Sequence, residues 1–215
     1  RGFDVSDGVG DIDFDKAHDS GQHFVSVRVA DGDIRDARYG PGRIKALRKS
    51  GLAWFPYYYA RVAGAHNGER SGAEEAKMAI GFAKTAGWGK AGDLPLTYDF
   101  ENLNGQSAKK CARHVINFIK AYRAEMGHLP IIYTMPGVWG SVYPHFTSRQ
   151  RELLKKCPLW IAHWEVPKPQ YLSPWGNGWT LWQDSDHGTV RGVPIPTDTD
   201  WYKGAPGTFD RLIIP

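Results

Sequence analysis

Short apolar strands alternate with helix-like stretches along most of this chain, at roughly 30 residues per unit, the pattern of a parallel sheet with helical crossovers. Strand candidates lie at 2–5, 23–30, 52–59, 96–100, 130–133, 159–163, 179–183 and 197–201. Helix signals lie at 12–19, 41–50, 74–86, 107–126 and 148–157, each between two of the first six strands. The 23–30 segment is rich in β-branched residues, and 52–59 is apolar throughout, as a strand buried on both faces should be. Pro56 removes a ladder donor, so this third strand is expected to bend or end early. Gly51 and Gly127 stop the helices before them, and Pro158 stops another. Seven or eight strands point to a closed barrel, with an open doubly wound sheet as the rival. After Trp160 the strands follow one another through Pro- and Gly-rich loops, so helical crossovers are expected only in the first five units.

The 215 residues contain no repeat, linker or visible boundary, and are read as one domain spanning 1–215. A barrel commonly needs about 250 residues, so this is a compact one. No run of apolar residues is long enough for a membrane span. The first residues, RGFDVSDG, carry no apolar signal stretch, and a start without Met points to trimming or processing. A net charge of +4 favours anionic partners, either nucleic acid or an acidic cell wall. No RNP-like, zinc-finger or helix-turn-helix signature supports nucleic acid. Cys111 and Cys157 form no metal pattern; they read as buried free thiols, with one disulfide between them as the alternative. The 9 Trp and 10 Tyr exceed what a core alone asks for, and flat rings of this kind also line sugar-binding clefts.

Acidic residues recur at strand ends: Asp4, then Asp99 and Glu101, then Asp198 or Asp200. In a parallel barrel all C-terminal strand ends meet at one face, which carries the active site. On a strand, residues i and i+2 point to one side, about 6.5 Å apart, so Asp99 and Glu101 stand together while Phe100 turns into the wall. Two close carboxylates resist double ionisation, which raises one pKa and makes a general acid. Both project from a single strand, so they do not flank a scissile bond as an acid and a direct nucleophile would. That arrangement suits a substrate bringing its own nucleophile, such as a 2-acetamido oxygen. Each acid could instead cap a turn or a helix. No GxSxG, HExxH, GxGxxG or P-loop is present, and no metal or organic cofactor is implied. His163 is a further candidate for the cleft.

Seven segments in order, GFDVS, FVSVRVADG, YDFEN, PIIYT, LWIAHW, WTLWQDSDHGTVRGV and TDTDWYKG, resemble the glycoside hydrolase family 25 lysozymes. The resemblance implies a modified TIM-like α/β barrel of eight strands and about five helices, (β/α)5(β)3. It implies retaining hydrolysis of the β-1,4 bond between N-acetylmuramic acid and N-acetylglucosamine in bacterial peptidoglycan. Glu101 matches the catalytic acid, Asp99 the partner that assists the acetamido group or attacks directly, and Asp4 and Asp198 the remaining catalytic acids. Asp200, at the second polar place of the last motif, is expected to touch substrate, as are Tyr58, Tyr133, Trp164 and Trp182. Two positions depart from the family pattern: Asp184 stands where a ring is usual, and Tyr57-Tyr58-Tyr59 where a Tyr-His pair is usual. Peptidoglycan is the expected partner, a monomer the expected state, and the wall the expected place of action, reached as a phage lysin or by secretion. A chitin-type glycosidase and a glycan-binding module without turnover are the competing functions.

Overall fold

The computed structural model describes residues 1–62, 69–205, 209 and 212. Eight strands close a barrel: β1 (Gly2–Val5), β2 (Phe24–Asp31), β4 (Ala53–Tyr59), β5 (Thr97–Asp99), β6 (Ile131–Thr134), β7 (Leu159–Ala162), β8 (Leu181–Gly188) and β9 (Thr197–Tyr202). A two-residue strand, β3 (Ile34–Arg35), folds back on the end of β2. Closure comes from β1, which pairs with β2 on one side and β9 on the other, and this excludes the open sheet. Neighbours from β1 through β8 run parallel. The last strand departs from the expected pattern, because β9 is antiparallel to both β8 and β1. It therefore brings its beginning, not its end, to the face where the other strands finish.

Pro56 does not break β4, which runs through to Tyr59. The ladder with β5 begins only at Tyr57, so β5 offers no partner at the proline.

Among the described residues six α-helices pack outside the strands: α1 (Phe14–Asp19), α2 (Pro41–Lys49), α3 (Gly72–Ala86), α4 (Ala108–Met126), α5 (Pro136–Val142) and α6 (Ser148–Leu154). Their ends follow local chemistry. Ser71 and Glu74 close a capping box on α3, and Thr147 and Gln150 do so on α6. Gly87 and Gly127 end α3 and α4 in the left-handed region, at φ 103° and 77°. The extra helix, α5, opens on Met135-Pro136, with proline at a first-turn position whose N–H is unused in any case. No helix connects β7, β8 and β9. No described helix is long and apolar enough to cross a membrane.

Strand alternation sorts side chains into two cores. Phe24, Phe55, Ile131, Trp160 and Leu181 fill the barrel interior with Phe209. Val25, Val27, Tyr58 and Tyr98 face outward into the outer core, where the Tyr58 and Tyr98 rings pack on Phe118 of α4. Fully burying a side chain such as Phe118 contributes roughly 1.5–3 kcal/mol, which holds the longest helix against the staves. Cys111 and Cys157 are separate buried thiols.

Candidate active site

A cavity of about 210 Å³ opens at the mouth where the parallel strands end. The apolar interior stops below it, and Trp160 forms its floor, edge-on to Tyr57 and Tyr133. Four carboxyls line it: Asp4 from β1, Asp99 from β5, Glu101 two residues further, and Asp198 from β9. Asp4 and Asp198 are direct partners across the β1–β9 ladder, so antiparallel pairing places both on the inner face. Glu101 follows the last ladder residue of β5, while Phe100 between it and Asp99 is buried in the outer core.

The environment keeps these acids protonated beyond the usual carboxylate range. Burial raises Glu101, while a hydrogen bond from Tyr59 and the charge of Arg61 pull it back. Burial, then the charges of Glu101 and Asp4, raise Asp99. Asp4 rises through burial and the nearby Asp200. Asp198 is pushed up to about 9, by burial first and the Asp4 charge second. Asp99 and Glu101 interact, so they titrate as a pair that holds one proton between its two steps. Asp99 Oδ1 is buried and has no hydrogen-bond partner among the described residues.

Gln183 joins the two walls. Its Nε2 donates to Asp4 Oδ2 at 2.8 Å, and its Oε1 accepts from Tyr133 and Trp164, each at 2.8 Å. Every polar atom of a buried amide is thereby used, and its orientation is fixed. Arg28 is the cation of the cavity, held by Asp36 at 2.8 Å. At the rim, Arg61 makes a two-point ion pair with Asp31, at 2.6 and 2.8 Å, and lies over the Tyr59 ring at 4.5 Å.

The expected sugar contacts divide. Tyr133 lines the cavity, and Trp164 stands beside it, its ring exposed, hydrogen-bonded to Gln183. Tyr58 does not reach the cavity: it is fully buried on the outer side, stacked on Phe118. Strand parity requires this, because Tyr57 and Tyr59 take the inward places. Trp182 is likewise turned outward, its Nε1 donating to the His163 carbonyl and its ring against Trp179. Asp200 is inward but lies beneath the floor, fully buried, accepting from Trp160 Nε1 at 2.8 Å, so substrate cannot touch it. His163 orders its own loop, its Nδ1 accepting from the Gln170 backbone. Asp184 points away from the cavity, where Thr199, Trp201 and Arg1 donate to it.

Tyr57, Tyr59, Arg28 and Gln183 were not singled out from the sequence. A signal for Gln183 did exist: a polar residue in the apolar run LWQ, two places after the inward Leu181.

Partly protonated acids ringed by tyrosines at the mouth of a barrel are the working parts of an enzyme that breaks glycosidic bonds. The family model for Glycosyl hydrolases family 25 matches residues 3–193, and the chain belongs to that family. It is 27% identical to Lysozyme M1 of Streptomyces globisporus over 214 residues, covering 95% of this chain and 68% of that protein. It is 28% identical to an N,O-diacetylmuramidase of Arthroderma benhamiae over 195 residues, covering 86% of this chain and 77% of that one. Among solved structures, a bacterial lysozyme from Streptomyces coelicolor superposes with a TM-score of 0.82 at 27% identity, covering 98% of this chain and 94% of that one.

Proposed function

We propose that this chain hydrolyses the β-1,4 bond between N-acetylmuramic acid and N-acetylglucosamine in bacterial peptidoglycan, with retention at the anomeric carbon. One observation carries the reading: Asp99 and Glu101 face one cavity from a single stave, with Asp4 and Asp198 on the opposite wall. The relatives named as lysozyme and muramidase support the substrate class.

The chemistry divides between substrate and protein. Glu101, protonated through burial, gives its proton to the leaving oxygen as the C1–O bond breaks. The acetamido oxygen of the same sugar forms the new bond to C1. Asp99 Oδ1, without a partner among the described residues, accepts from the amide N–H and aligns that oxygen. The Tyr59 hydroxyl stabilises the Glu101 carboxylate left behind, while the Tyr133 hydroxyl keeps donating to Gln183 Oε1. Water then attacks C1, returns its proton to Glu101 and reopens the ring formed by the acetamido group. Asp4 and Asp198 close the far wall, with Gln183 fixing Asp4.

Mass spectrometry of digested, purified peptidoglycan tests the reading. Fragments ending in reducing muramic acid are expected. Reducing glucosamine ends, or release from chitin alone, would assign a different glycosidase. Binding without new reducing ends would leave a glycan-binding module.

A further inference from the structure

A second concavity, of about 790 Å³, lies on the helical layer between α4 and α6 and shares no residue with the carboxylate cavity. Lys120 and Arg123 rise from the last two turns of α4, Arg149 from the first turn of α6, and Lys156 from the turn after it. Glu152 is the one acid among its lining residues.

What marks these four cations is that they gather on one concavity. Several arginines elsewhere are neutralised by carboxylates: Arg28 by Asp36, Arg43 by Asp11, Arg48 by Asp93, Arg61 by Asp31 and Arg70 by Asp33. In the groove no acidic partner lies within 4.0 Å of any of the four among the described residues.

We infer that the groove between α4 and α6 binds a phosphodiester polyanion of the bacterial wall. Four cations spread over both banks of the groove fit a chain carrying several charges better than one isolated ion. No aromatic side chain lines the groove, so the bases of a nucleic acid find no stacking platform. The choice of a wall-borne polymer rests on the proposed wall substrate; the cationic character of the groove does not. Held there, the polymer would keep the enzyme on the wall while the barrel mouth works on the glycan.

The test measures binding of purified poly(glycerol phosphate) by the whole chain, as a function of salt. The groove variant K120Q/R123Q/R149Q/K156Q is compared with K45Q/K49Q/K77Q/K90Q, which removes equal charge from exposed lysines elsewhere. The groove variant is expected to lose about tenfold or more in affinity and to show a shallower salt dependence, with the second variant near the parent. Hydrolysis of soluble glycan fragments is expected to be equal in all three. Because binding is read without turnover, failure of the proposed glycosidase reaction leaves this result standing. Equal losses in both variants, or no loss in the groove variant, would overturn the inference. Tighter binding of duplex DNA than of the polymer would also overturn it.

Discussion

Glu101 is set by opposing neighbours. Burial holds its proton on, while Tyr59 and Arg61 favour its anion. A general acid works only while protonated, so kcat/KM falls as pH rises through its pKa. Arg61→Gln removes a stabiliser of the anion and raises that pKa further. The alkaline limb of the kcat/KM profile should move to higher pH; an unmoved limb would detach Arg61 from the acid. Gln183→Leu leaves Asp4 without its donor and Tyr133 and Trp164 without their acceptor. It should cost about 1–3 kcal/mol in unfolding free energy by denaturant titration, and lower kcat more than it raises KM. Asp198 bears on stability with a definite sign. Its folded pKa is about 9 against an ordinary 3.8, so the native state keeps a proton that the unfolded chain releases. Stability from this group is full below about pH 4 and is lost as pH rises towards 9. Asp198→Asn removes that loss, so the melting temperature at pH 7 should rise by about 3 °C while activity falls. A rise that is equal at pH 4 and pH 7 would contradict the cause. At this scale the sequence showed the acids but not the rings. Asp4, Asp99 and Glu101 stand out against apolar strands, whereas Tyr58 was chosen over Tyr57 and Tyr59 because a strand buried on both faces carries no polar alternation to fix its parity.

Among the elements, α3 and α4 meet most closely at Gly72. A β-carbon there would collide with the His114 carbonyl, which is backbone and cannot swing aside. Beside it Glu75 accepts from His114 across the two helices at 2.9 Å and, through its other oxygen, takes the backbone N–H of Arg61. The helix pair thus anchors the segment that carries the rim arginine. Gly72→Ala should force the helices apart and cost about 2–3 kcal/mol, read as a lower denaturation midpoint with an unchanged m-value. A neutral effect would mean that the helices separate freely. The strands and five of the helices were legible from their apolar periodicity, with Gly51, Gly127 and Pro158 marking three of the helix ends. The extra helix α5 was not, because Met135-Pro136-Gly137 carries turn residues, and proline at a helix start reads like proline in a loop. The direction of β9 was also hidden, since a strand pattern is the same read either way. Only the short β8–β9 connection, too brief for a crossover, hints at antiparallel pairing.

In the whole molecule, parallel strands and one reversed strand bring Asp4, Asp99, Glu101 and Asp198 from distant parts of the sequence to a single mouth. Ordered packing below the mouth lets several carboxyls gather there, where burial leaves them short of charge and able to hold protons. The eight-stranded closure, the helix-poor last third and the family were visible in the order of the motifs. Which rings face the glycan depends on barrel geometry that the order alone does not carry. The account rests on Glu101 as the proton donor, and the rate of glycan cleavage by Glu101→Gln measures this most directly. With far-UV circular dichroism and melting unchanged, the turnover rate should drop by about 10²–10⁴-fold. A folded Glu101→Gln protein that cleaves peptidoglycan at the parent rate would contradict it.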